Sequence, residues 1–137
     1  MFKVEGKKFL LTGVANKKSI AYAVAKSLLE AGAKVDLVIQ VPELKSKISE
    51  FFPDSEIFIC DVQDLQQIES LVEQMAERQS HYHGLLHSIA FANYSEGIKP
   101  FHETKRGDFL QAAQISCFSL IELTKALLPY LNRQLLS

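Results

Sequence analysis

Gly13-Val14-Ala15-Asn16-Lys17-Lys18-Ser19-Ile20-Ala21 joins an apolar strand to an amphipathic helix through a loop of small residues, and this join decides the fold. The strand before it is Lys8-Phe9-Leu10-Leu11-Thr12. After it, Ile20, Ala21, Val24, Ala25, Leu28 and Leu29 recur at helical spacing on one face. Gly32 is placed to stop that helix. A strand, a glycine turn and a helix N-terminus form a cradle for a pyrophosphate, because unpaired backbone N–H groups and the helix dipole favour an anion there. Ser19 is predicted to cap the helix and to offer its hydroxyl to the same phosphate. The strict G-x-G-x-x-G string is absent, so the loop by itself also fits an ordinary strand–helix turn that binds nothing.

Outward from this unit, strands and helices alternate. Further strands are predicted at 33–39, 56–60 and 84–89, and helices at 42–51, 65–79 and 106–131. Residues 90–105 read as a loop, with Asn93, Ser95, Gly97 and Pro100. Residues 134–137 look like the first half of a fifth strand. Such alternation implies an α/β fold with a parallel sheet covered on both faces. Right-handed crossovers make it a doubly wound, Rossmann-like sheet, of strand order 3-2-1-4-5 and incomplete. Ligands bind such sheets outside the carboxyl ends of the strands, where the winding reverses. That rule gathers the loop at Gly13, the step at Gln40, the step at Asp61-Val62 and the segment 88–92.

With 137 residues the chain is expected to be one domain with a substantial core. A formal net charge of −1 gives no general attraction to nucleic acid or to acidic membranes. No apolar run approaches the length of a membrane span, and Met1-Phe2-Lys3-Val4-Glu5-Gly6 lacks a signal-peptide core. The expectation is a cytoplasmic protein. Cys60 and Cys117 lack CxxC spacing and read as reduced packing residues. His81 and His83 read as a solvated turn, since no cysteine or carboxylate converges on them to hold a metal. Asp36, a carboxylate within a covered strand, must lie near a rim or be hydrogen-bonded, because an unpaired buried charge is costly.

Each carboxyl-end position has a binding reading and a plainer one. Gln40 stands where dinucleotide folds place an acid for the adenosine ribose hydroxyls. It is neutral, and no Lys or Arg follows before Lys45, so NADH is preferred over NADPH; otherwise it is a solvated strand end. Asp61 can accept from an adenine amino group while Val62 supplies an apolar wall; alternatively Asp61 caps the next helix. In His87-Ser88-Ile89-Ala90-Phe91-Ala92 the small residues allow close backbone approach to a nicotinamide ribose, and Ile89 can pack on the ring. The plainer reading is a buried strand running into a loop.

A family resemblance rests on these residues. Gly6-Lys7-Lys8-Phe9-Leu10-Leu11-Thr12-Gly13-Val14-Ala15, Ser19-Ile20-Ala21-Tyr22, Gln40, Asp61-Val62 and the 87–92 string resemble the bacterial NADH-dependent enoyl-acyl-carrier-protein reductases, divergent short-chain dehydrogenases of type II fatty acid synthesis. Gly107-Asp108-Phe109 and Ile115-Ser116-Cys117-Phe118-Ser119 resemble the family's helix after the substrate loop. The resemblance implies that Gly13, Ser19, Ile20, Gln40, Asp61, Val62 and Ile89 contact the dinucleotide and that Ala92 faces the acyl substrate. It also implies hydride transfer to the β-carbon of a trans-2-enoyl thioester carried on acyl carrier protein. A homo-oligomer joined through helix 106–131 is the further expectation, because that helix reads apolar all round in its second half.

One departure from the family is decisive for the chemistry. The family's tyrosine, followed by lysine seven positions on, has no counterpart at Tyr22, Tyr82, Tyr94 or Tyr130. The expectation is a cofactor-binding half that is inactive by itself. An alternative is a catalytically inactive short relative that binds a nucleotide or a partner. Another short-chain dehydrogenase acting on alcohols fits less well, since its TGxxxGxG loop and NAG-type string are missing.

Overall fold

Period-2 alternation in the strands sends neighbouring side chains to opposite faces, and two apolar layers result. In the computed structural model, which describes residues 3–131, Leu10 and Val38 face one layer and Leu11, Leu37 and Ile39 the other. The strands are β1 (Lys8–Thr12), β2 (Lys34–Ile39), β3 (Ile57–Ile59) and β4 (Gly84–Leu86). All pair in parallel in the order β3-β2-β1-β4, with Leu10 beside Asp36 and Leu85. The predicted order 3-2-1-4 is observed. The fifth strand expected at 134–137 lies outside the described residues.

Helices α1 (Ile20–Glu30) and α2 (Lys45–Phe51) cover one face, where Ala21, Ala25, Ile48 and Phe52 pack on Leu11 and Leu37. Helix α3 (Leu65–Glu77) and the later helices cover the other, where Leu71, Met75, Leu123 and Leu127 meet Leu10 and Phe58. Gly32 adopts φ +82° and the Ala33 N–H bonds the Leu28 carbonyl at 2.9 Å, ending α1 as expected.

The segment expected as one helix over 106–131 is interrupted. It comprises α4 (Arg106–Ala113), a π-helical segment (Gln114–Phe118), α5 (Ser119–Leu127) and a short 3₁₀ turn (Leu128–Tyr130). The Ser119 hydroxyl donates to the Ile115 carbonyl four residues back at 2.7 Å, a bond that competes with regular helix spacing. Nor is this run buried all round. Ile115, Leu123 and Leu127 are buried, but Phe118, Leu120, Ile121 and Leu128 are exposed, because only one side meets the sheet. After the last turn the Tyr82 N–H bonds the Tyr130 carbonyl at 2.7 Å, and Leu131 makes a parallel bridge to Tyr82.

Asp36 is buried and satisfied. Its Oδ2 accepts from the Tyr82 hydroxyl at 2.8 Å and lies 2.7 Å from Lys8 Nζ, and its Oδ1 accepts from the Glu56 N–H at 3.1 Å. Tyr82 is buried as well, and desolvation with the Asp36 charge beside it pushes its phenol well up. His83 is not a solvated turn residue: its Nδ1 accepts from the Lys8 N–H at 3.1 Å, tying the approach to β4 onto β1. Cys60 packs in the core, whereas Cys117 is exposed on the outer side of the π segment, contrary to its reading as a packing residue. Among the described residues no helix is long and apolar enough to cross a membrane.

Candidate cofactor site

Because β1 and β4 are neighbours while their helices cover opposite faces, the chain diverges at their carboxyl ends and leaves a crevice. Its volume is about 220 Å³, and Gly13, Gln40, Asp61, Val62 and Ile89 line it together. Five of the seven residues expected at a dinucleotide therefore converge.

Gly13 is the tightest point. It takes φ +90°, and a Cβ built on it would lie 1.9 Å from the Ser88 carbonyl oxygen. Only glycine has both the backbone freedom and the missing side chain that this approach requires. Thr12 fixes the same junction: its hydroxyl donates to the Leu86 carbonyl at 3.0 Å and accepts from the Ser88 N–H at 3.1 Å.

Ser19 departs from its expected role. It occupies the N-cap position with extended backbone, yet its side chain bonds no helix amide. Its Oγ instead accepts from the Ala15 and Asn16 N–H groups at 3.2 and 3.1 Å and donates to the Asn16 carbonyl. The hydroxyl folds the loop back on itself, and the first amides of α1 keep no side-chain partner. Ile20 is 74% exposed and stands outside the crevice lining, because as the first residue of α1 it has no element over it.

At the other end Gln40 Nε2 donates to Asp61 Oδ2 at 3.3 Å, so the two residues form one polar edge. Asp61 is not the cap of the next helix. Asp64 is, accepting from the Gln66 N–H at 2.9 Å, and Asp61 Oδ1 accepts from Gln63 N–H at 3.0 Å. Val62 is buried beneath this edge. Burial, together with the charges of Asp61 and Asp64, pushes the Cys60 thiol up to about 12.

The segment leaving β4 is held by the long helical run. His87 Nε2 lies 2.7 Å from Ser119 Oγ. That hydroxyl gives its proton to the Ile115 carbonyl, which assigns the donor role to His87 Nε2. Desolvation lowers the His87 pKa. Ser116 Oγ accepts from the Phe91 N–H at 2.9 Å and donates to the Phe91 carbonyl at 3.1 Å. Sequence reasoning did not single out Ser116 or Ser119 as supports, although two hydroxyls in an otherwise apolar run were a visible signal. Ala92 lies past Phe91 and lines a second hollow of about 250 Å³ with Asn93, Glu96, Lys99, Lys105 and Asp108. There Glu96 pairs with Lys105 and Lys99, whose hydrogen bonds first and charges second hold its carboxyl down at about 2.

The fold and this crevice define a Rossmann-like, dinucleotide-type α/β architecture. A family model described as Enoyl-(Acyl carrier protein) reductase matches residues 13–136. The chain is 37% identical over 136 residues to "Enoyl-[acyl-carrier-protein] reductase [NADH] FabI" of Bacillus subtilis, covering 96% of this chain and 53% of that protein. The crystal structure of enoyl-[acyl-carrier-protein] reductase (NADH) from Aquifex aeolicus superposes with a TM-score of 0.88 at 36% identity, over 96% of this chain and 57% of that one. The Bacillus cereus enoyl-acyl carrier protein reductase, solved with NADP+ and indole naphthyridinone, gives a TM-score of 0.87 at 32% identity, over 96% of this chain and 53% of that one. The chain belongs to the enoyl-acyl-carrier-protein reductase family. It spans about half the length of the curated relatives it matches. The descriptions of these relatives name both NADH and NADP+.

Proposed function

We propose that residues 1–137 act as one dinucleotide-binding unit of an NADH-dependent enoyl-acyl-carrier-protein reductase, cytoplasmic and working in type II fatty acid synthesis. The observation that carries this reading is the Gly13–Ser88 approach at the mouth of the crevice, which a side chain at position 13 would block. The lining fits the cofactor in chemistry as well, with a polar edge at Gln40–Asp61 and apolar walls at Val62 and Ile89.

When bound, the cofactor supplies a hydride for the β-carbon of a trans-2-enoyl thioester on acyl carrier protein. The residues of this chain bind and orient it. The loop from Gly13 to Ile20, folded by Ser19, turns the free amides of α1 toward the pyrophosphate. Gln40 takes the adenosine ribose hydroxyls, and Asp61 accepts from the adenine amino group. Ile89 backs the nicotinamide, and Ala92 faces the acyl group. No basic side chain follows Gln40 before Lys45, which favours NADH over NADPH. The exposed side of the helical run 106–131, with Phe118 in the π segment and Leu120 and Ile121 in α5, is the surface through which copies of the protein associate.

Reduction builds negative charge on the thioester oxygen, and that charge demands preorganised donors. No tyrosine among residues 1–137 is followed by lysine at the seventh position, so no residue of this sequence is assigned to that task. NADH consumption with a crotonyl thioester tests the division of labour. A polypeptide of residues 1–137 should bind NADH without turning over. Turnover by these residues would overturn the reading that none of them supplies those donors. Failure to bind any nucleotide would favour a relative that serves only as a partner-binding module.

A further inference from the structure

Strand β4 ends at Leu86, yet the five residues that follow it must keep a fixed course, because Ser88, Ile89, Ala90 and Phe91 form one wall of the crevice. Their backbone groups have left the sheet ladder and need other partners. Thr12 accepts from the Ser88 N–H at 3.1 Å, Ser116 serves the Phe91 backbone, and Ser119 holds the His87 imidazole. Ser119, buried at the start of α5, holds His87 at one end of the run at 2.7 Å. Ser116, inside the π-helical segment, holds the other end. Its single hydroxyl accepts from the Phe91 N–H at 2.9 Å and donates to the Phe91 carbonyl at 3.1 Å, as a neighbouring strand residue would. The π segment therefore has a specific use: isolated π turns concentrate at functional sites, and this one carries the hydroxyl that replaces the missing strand partner.

We propose that Ser116 is a positioning residue for the nicotinamide half of the cofactor, acting through the Phe91 backbone. The inference rests on the reading of the crevice as a dinucleotide site. Gln40 and Asp61 mark its adenosine end, and the run 88–91 lies at the opposite end, beyond Gly13. Loss of the Ser116 hydroxyl frees Phe91, which is 41% exposed and part of the lining, without touching the adenosine end. The effect must therefore depend on which half of the ligand is present.

The test compares NADH with ADP-ribose, which lacks the nicotinamide, by calorimetry on the full-length protein and on Ser116→Ala and Ser116→Thr. Ser116→Ala should weaken NADH binding about three- to tenfold, the scale of one or two lost hydrogen bonds, and leave ADP-ribose affinity unchanged. Ser116→Thr keeps the hydroxyl and should restore NADH binding. Unchanged NADH affinity in Ser116→Ala overturns the proposal, and so does an equal loss for both ligands, which marks a merely structural role. If the unmodified protein binds neither ligand, the dinucleotide reading itself falls. Amide exchange gives a readout that needs no variant: the Phe91 N–H should be protected in the unmodified protein, and free exchange there contradicts the clamp.

Discussion

Gly13 and Ser88 approach so closely that a Cβ on Gly13 would sit 1.9 Å from the Ser88 carbonyl oxygen. The relationship locks the turn after β1 against the exit of β4, which is where the winding of the sheet reverses. Gly13→Ala is therefore expected to do two kinds of damage. The new methyl meets backbone, which cannot swing aside as a side-chain tip can, and φ +90° is strained for any other residue. The variant should lose more than about 2 kcal/mol of stability and lose nucleotide binding. Urea unfolding checks the first point, and a wild-type midpoint would contradict the contact.

Tyr82→Phe addresses the polar cluster at the opposite end of the sheet. Removing the hydroxyl takes one donor from Asp36, which is 3% exposed. The expected cost is about 1–3 kcal/mol, the penalty for under-satisfying a buried group, with Lys8 still in place. Nucleotide affinity should not change, since the cluster lies away from the crevice lining. An unshifted denaturation midpoint would refute this account of Asp36.

The order of the strands was legible because it follows from alternation and handedness, which depend little on individual side chains. The carboxyl-end rule then gathered Gly13, Gln40, Asp61, Val62 and Ile89 without any knowledge of their contacts. What depended on the path of the chain in space was not legible. Ser19 sits at the N-cap as its residue type suggests, but the loop turns its hydroxyl onto Ala15 and Asn16. Ile20 fits the helical periodicity and still faces solvent, since the pattern does not report where a helix begins to be covered. The π segment was hidden because its residues keep an apolar pattern that reads as continuous helix. The partnership of Asp36 with Tyr82, 46 residues apart, has no local signature at all.

His87 should make stability depend on acid. Burial lowers its pKa below the ordinary 6.5, so between that lowered value and 6.5 the unfolded chain holds more protons than the folded one. The stability is fully present above that interval, falls as pH drops through it, and levels off below the folded value. Denaturation at pH of about 7.5 and about 5.5 should show a larger loss for the unmodified protein than for His87→Gln. Equal losses would remove His87 from the explanation.

The two cysteines should separate by reactivity. Cys60 is buried with its thiol pushed up to about 12, and Cys117 is exposed. The thiolate is the reactive species, so at pH of about 8 a thiol reagent should modify Cys117 quickly in dissociated copies and Cys60 only after unfolding. Rapid modification of folded Cys117→Ser would contradict the burial of Cys60.

Calorimetry with NADH and NADPH decides whether the crevice beside Gly13 holds a nicotinamide dinucleotide. Saturable NADH binding is expected, with a weaker response to NADPH, since Gln40 and Asp61 offer no cation for a 2′-phosphate, and no NADH heat from Gly13→Ala. Undiminished binding by that variant, or no binding of either nucleotide by the unmodified protein, would contradict that expectation.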